Sequence, residues 1–213
     1  DVLGRVVEVA SGQPFDAYLQ AEIFEPLGMD DTGFYLEDDA DLSALATVYT
    51  HDEDGLVPVM VEGETVGDGA GRIAFPAGGA GLVSTAEDYA RFALMLAGGG
   101  ELGGVRLIDE DTLALMTRNQ LEPHQIRPDS PGLGYGYGFG VALPVEDPEQ
   151  AAGIPGDYFW GGYFDTTFLV SPSTGLVAVY VSQEQPSAHS GPNTRSAFPS
   201  LVYGVLPETG AAE

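Results

Sequence analysis

The sequence predicts an α+β domain in which helices flank an antiparallel sheet. Three observations carry this. Apolar residues recur at helical spacing over residues 2–29, 84–116 and 194–205. Runs of β-branched and aromatic residues joined by short turns occupy residues 136–181. Helices and strands therefore come in blocks, not in the βαβ alternation that a parallel sheet needs.

The elements follow in order. Val2, Leu3, Val6, Val7 and Ala10 mark a first helix that Ser11-Gly12 ends. Pro14 opens a second, with Phe15, Tyr18, Leu19 and Ile23 as its apolar stripe. Pro26-Leu27-Gly28-Met29 stops it, with Gly28 just past the helix end and Leu27 and Met29 packing around it. Residues 30–48 are rich in aspartate and glutamate and read as a solvated loop. Residues 48–60 read as a small hairpin turning at His51-Asp52-Glu53-Asp54-Gly55. The later ligands of a calcium loop are absent there, so the turn is exposed and His51 lies at the surface. Gly63 to Gly81 is irregular and lacks the Lys and Ser/Thr of a phosphate loop.

Ser84 and Glu87 form a capping box for a helix through Tyr89, Phe92, Ala93 and Leu96, stopped by Gly98-Gly99-Gly100. Asp109 caps another helix, with Leu113 and Met116 inward. Pro128 to Gly134 is loop. Gly136 to Leu143 alternates small and large residues, as a strand under a close neighbour does. Gln183 to Asn193 is loop. Thr194 caps a last helix with Phe198, Leu201, Val202 and Val205 on one side, and Pro199 is expected to delay its start by a turn. The domain should span residues 1–206, followed by a disordered tail over 207–213.

Composition narrows the chemistry. The chain has 213 residues and 44% hydrophobic content, enough for a core. It has no cysteine, which excludes disulfides, thiolate metal sites and a cysteine nucleophile. It has no lysine either; its seven basic residues are arginines, against 33 acids, for a net charge of -26. Such a surface repels nucleic acid and anionic lipid and suits high salt, so a halophilic or marine source is expected. No apolar run is long enough to span a membrane. No leader pattern opens these residues, which favours a cytoplasmic location. The chain begins at Asp1 and enters a helix directly, so upstream sequence is expected.

Tyr158-Phe159-Trp160-Gly161-Gly162-Tyr163-Phe164 is the stretch where chemistry can start. The residues after it, to Ser171, and Leu176 to Val181 read as the two arms of a hairpin about Pro172-Ser173-Thr174-Gly175. Two glycines inside a strand mark a bulge or the close approach of a ligand. One reading is therefore a bulge with the single tryptophan packed on the core. The other is a glycine-opened strand whose free N–H groups receive a developing oxyanion.

No nucleophile accompanies it. No serine has the Gly-x-Ser-x-Gly setting, and Ser-x-x-Lys is impossible without lysine. His51, His124 and His189 share no metal-ligand spacing, so neither metal nor cofactor is expected. With 33 acids any glycosidase-like pairing can be drawn, which leaves that pattern uninformative.

Asp1 to Phe15, Ile23 to Thr32, Gly78 to Tyr89 and Trp160-Gly161-Gly162 together resemble the serine β-lactamase family. The similarity is greatest to its class C-like branch and the family VIII carboxylesterases. The resemblance implies a serine β-lactamase/transpeptidase-like fold, here a partial domain. It also implies a nucleophilic mechanism: a Ser-x-x-Lys serine is acylated, a tyrosine assists, and water deacylates. Both motifs would lie upstream, so this chain would be the carboxy-terminal part of a longer hydrolase. Alone it would be inactive, with the upstream portion of the same polypeptide as its partner.

Trp160, Gly161 and Gly162 fall where β-lactamases usually carry Lys-Thr-Gly, and the Tyr163 N–H falls on the family's oxyanion-hole donor. Phe164 and Tyr163 would wall the acyl pocket, and Gly79 to Gly81 would border its entrance. A tryptophan in place of the lactamase cation disfavours a carboxylate-bearing substrate and favours a small neutral ester. A β-lactamase or D-amino-acid peptidase of the same fold, and a non-catalytic binding module, are the alternatives.

Overall fold

A computed structural model describes residues 1–34, 44–61, 64–65, 76–125, 136–144, 154–185 and 194–205. The predicted loop at 128–134, most of the glycine-rich stretch and the tail over 207–213 lie outside them.

The first helix, α1 (Val2–Ser11), stops at Gly12, which takes a left-handed φ of 73° and returns its N–H to the Glu8 carbonyl. Its apolar stripe does not face the core. Gly4 is the buried residue of α1, while Val2, Leu3, Val6 and Val9 stand in solvent. α2 (Phe15–Leu19) continues through a π-helical turn, Gln20–Phe24, into α3 (Glu25–Leu27). Gly28 ends that run at φ 67°, with Leu27 and Met29 buried around it, as predicted.

Thr32 and Phe34 correct the expectation of a solvated loop after Met29, because both are buried. Thr32 Oγ1 donates to the buried Asp88 carboxylate at 2.8 Å, and the Asp31 N–H donates to the same oxygen at 2.8 Å. This ties the segment to α4 (Ala86–Ala97). The cap of α4 also sits one residue later than the Ser84 box. Thr85 accepts from the Asp88 N–H, while Ser84 Oγ lies 2.8 Å from Thr32 Oγ1. Asp109 caps α5 (Glu110–Met116) as predicted.

β1 (Tyr49–Asp52) and β2 (Gly55–Pro58) form the expected hairpin. Its third strand was not foreseen. β12 (Glu184–Gln185), read from sequence as loop, pairs parallel with β1 at Tyr49 and Thr50. Two short hairpins, β3 (Met60–Val61) with β4 (Glu64–Thr65) and β5 (Glu101–Leu102) with β6 (Val105–Arg106), complete the periphery.

The main sheet has five antiparallel strands. In spatial order they are β11 (Leu176–Tyr180), β10 (Thr167–Ser171), β9 (Tyr158–Gly161), β8 (Ala142–Leu143) and β7 (Gly136–Tyr137). The hairpin about residues 172–175 is as expected.

Two single strands of the sequence reading are in fact pairs. Gly136 to Leu143 folds back on itself, because the Gly138 N–H closes on the Val141 carbonyl and Gly140 takes φ 87°. Residues 158–171 reverse at 162–166, so Trp160 lies one strand further from the 172–175 turn than predicted.

Period-two alternation gives the sheet two faces. Tyr158, Phe168 and Val170 pack with Ala93, Met95 and Leu96 of α4. Phe159 and Leu169 pack with Phe198, Val202 and Tyr203 of α6 (Thr194–Val205). α6 runs through Pro199, which is fully buried in the helix and does not delay its start. So near the amino end a proline forfeits a single rung of the ladder. Leu201 and Val205, expected on the packed side, are exposed. Tyr203 Oη donates to the buried Asp157 carboxylate at 2.5 Å, joining α6 to the residue that leads into β9.

Candidate oxyanion-binding turn

The β9–β10 ladder runs from Tyr158–Val170 to Gly161–Thr167 and stops there. Beyond it the Gly162 N–H donates to the Thr166 carbonyl at 2.8 Å, and Thr167 Oγ1 donates to the Trp160 carbonyl at 3.0 Å. Gly162 fits closely: a Cβ there would lie 2.3 Å from Thr166 Oγ1, so the Thr166 side chain would have to turn away. Asp165 completes the reversal at φ 62°, a left-handed conformation that aspartate tolerates better than most residues.

Tyr163 is the next residue out. Among the described residues its N–H has no acceptor, so the amide stands past the last rung, outside the ladder. A bulge with the tryptophan in the core is not what forms. Trp160 is 37% exposed and sets its ring against Tyr137, centroids 5.0 Å apart and planes at 70°. Partial burial pushes the Tyr137 phenol above its ordinary pKa.

The Tyr163 ring packs edge-on against Phe164 at 5.3 Å, so these two predicted wall residues do come together. The Tyr163 hydroxyl accepts from Gln185 Nε2 at 3.3 Å, and the Phe164 carbonyl accepts from the Glu184 N–H at 3.3 Å. Glu184 Oε1 in turn lies 3.5 Å from His51 Nε2. The small sheet thus holds the turn from one side, through residues that the sequence reading left in a loop. A two-residue parallel pairing across 135 positions has no local signature.

Gly79 and Gly81, expected at the pocket entrance, lie beside the start of the chain and the Gly33–Val83 bridge. The closest atoms to a Cβ on Gly79 belong to Asp1, and Gly78 lies against Gly4 of α1. Gly81 takes φ 92° beside the bridge from Val83 to Gly33. A hollow of about 390 Å³ opens on α1, lined by Val2, Arg5, Val6, Val9 and Ala10. Among the described residues no cluster of His, Cys, Asp or Glu could hold a metal ion.

Known proteins place this fold. The family model described as Beta-lactamase matches residues 1–197. Esterase EstB of Burkholderia gladioli is 33% identical over 221 residues, covering 95% of this chain and 52% of EstB. Protein Rv1367c of Mycobacterium tuberculosis is 34% identical over 194 residues, covering 87% of this chain and 47% of that protein. Among solved structures, EstCE1, described as a hydrolase with promiscuous acyltransferase activity, superposes with a TM-score of 0.76 at 28% identity. The match covers 95% of this chain and 54% of EstCE1. The chain spans about half the length of the relatives it matches.

Proposed function

The chain belongs to the beta-lactamase family, a hydrolase family with esterase relatives, and from that premise we propose that it serves the cleavage of short-chain carboxylic esters through an acyl-enzyme. In this reading the turn after β9 supplies one oxyanion donor, the Tyr163 N–H. The serine that is acylated, its base and the second donor come from the half of the fold outside these residues, which is the chain's partner. The substrate is a small neutral ester.

One observation carries the reading: the ladder ends at Gly161 and leaves the Tyr163 amide without an acceptor among the described residues. An N–H fixed by a closed turn and aimed at a developing negative charge stabilises the transition state by about 3 kcal/mol. Two further features agree. Trp160 pairs with Tyr137 and Tyr163 with Phe164, so aromatic rings and not a lysine stand at and just after the third-motif position. The chain also has no lysine and so cannot hold a Ser-x-x-Lys nucleophile of its own.

Hydrolysis of p-nitrophenyl butyrate tests the reading. The 213-residue chain alone should show none above background. A chimera in which it replaces the matched portion of EstB should turn the ester over, and should prefer it to the β-lactam nitrocefin. Turnover by the chain alone, or a nitrocefin preference in the chimera, would refute it.

A further inference from the structure

We propose that the outward face of α1 is a docking surface for the other half of the fold, an inference that rests on the proposed function for the identity of that partner. Val2, Leu3, Val6 and Val9 are 79%, 78%, 54% and 70% exposed, and Val2, Val6 and Val9 line the open hollow on this helix together with Ala10 and, at its edge, Arg5. Val2, Val6 and Val9 are spaced as one stripe of a helix. An amphipathic helix ordinarily turns such a stripe inward, and here it faces water.

The helix is nonetheless fixed. Its inner side meets Gly78, where a Cβ would come within 3.0 Å of the Gly4 nitrogen. Its far end is held by Glu8, which accepts from the Phe15 N–H at 3.2 Å and from Arg5 at 2.7 Å. The Arg5 hydrogen bond, then the Phe15 one, hold the Glu8 carboxyl below its ordinary pKa. The apolar stripe is therefore presented on a rigid support, and no acid interrupts it, although the chain carries 33.

Two observations select the occupant. The relatives carry about as much polypeptide again as this chain spans, so the same fold contains a second portion of similar size. A second copy of this chain is disfavoured by charge, because each copy carries -26 and close approach concentrates that repulsion. The occupant is accordingly an apolar face of that second portion, and its docking also brings the nucleophile to the Tyr163 turn.

The EstB chimera tests this with a photo-crosslinker. p-Benzoylphenylalanine in place of Val6 should crosslink to EstB-derived residues, while the same group in place of Glu53, in the β1–β2 turn, should not. Val6→Asp with Val9→Asp should lower the chimera's melting temperature by several degrees and leave that of the 213-residue chain unchanged, since both side chains are in solvent there. Crosslinks from position 6 that stay within this chain's own residues would overturn the docking face, as would equal sensitivity of chain and chimera to the double substitution. Crosslinked dimers of the 213-residue chain at micromolar concentration would overturn the choice of occupant. A chimera that crosslinks as expected but hydrolyses no ester would leave the docking face standing and remove the proposed function. An active chimera without the crosslink would do the reverse.

Discussion

The Gly162 N–H donates to the Thr166 carbonyl at 2.8 Å, and that bond closes the turn in which Tyr163 sits. A side chain at Gly162 would displace the Thr166 hydroxyl, because Thr166 Oγ1 would lie 2.3 Å from its Cβ. Gly162→Ala should therefore open the turn and lower kcat of the EstB chimera for p-nitrophenyl butyrate by about tenfold or more, part of the ~3 kcal/mol available from one donor. Adding Thr166→Ala removes the clashing oxygen and should restore most of the loss. A Gly162→Ala chimera with unchanged kcat would detach this turn from catalysis.

Trp160 sits where the resemblance to β-lactamases calls for a cation. Trp160→Lys should raise the ratio of nitrocefin to p-nitrophenyl butyrate turnover in the chimera by about tenfold, the lower range of a charge-assisted hydrogen bond at a partly exposed position. A ratio that does not move, measured as kcat/KM on both substrates, would mean that position 160 does not choose the substrate class.

Burial pushes the Tyr89 and Tyr158 phenols up to about 12. Burial, then the Asp157 carboxylate, does the same for Tyr203. In the unfolded chain these groups ionise near 10. The unfolded state thus loses its protons first as pH rises, so their contribution to stability is complete below about pH 10 and falls away between 10 and 12. The Tyr158 hydroxyl has no partner among the described residues, so Tyr158→Phe should cost little at pH 8 and flatten the alkaline decline. Denaturant titrations at pH 8, 10 and 11 measure this, and an unchanged pH slope in Tyr158→Phe would contradict it.

Thr85, not Ser84, accepts the Asp88 N–H at the start of α4. Thr85→Ala should destabilise the chain by about 1 kcal/mol. Asp88→Ala should cost more, because it strands the Asp31 N–H and the Thr32 hydroxyl that both use its buried carboxylate. Thermal melts of the two variants give the order, and a Thr85→Ala loss exceeding that of Asp88→Ala would reverse it.

What was legible in the sequence is what short-range chemistry encodes. Gly12, Gly28, Asp109 and the 172–175 turn each announce themselves through a backbone conformation or a cap that few residues supply. The family was legible too, through motifs spread from Asp1 to Gly162. The reversal at Gly162–Thr166 was not. Asp165 reaches its left-handed conformation without a glycine, and β-branched residues run straight through from Thr166 to Val170.

Pairing of β12 with β1 and the burial of Thr32 by Asp88 depend on partners far along the chain. The stripe on α1 was read correctly as a helix. Periodicity identifies an apolar face but not what lies against it, and among the described residues the α1 stripe stands exposed.

The proposed role of the Tyr163 amide can be tested at a single atom. Replacing residue 163 of the chimera with the α-hydroxy analogue of tyrosine turns its N–H into an ester oxygen and keeps the ring, the turn and the charge. A fall in kcat for p-nitrophenyl butyrate of about a hundredfold, with KM little changed, is expected for loss of one oxyanion donor. A kcat within twofold of the parent chimera would contradict the assignment.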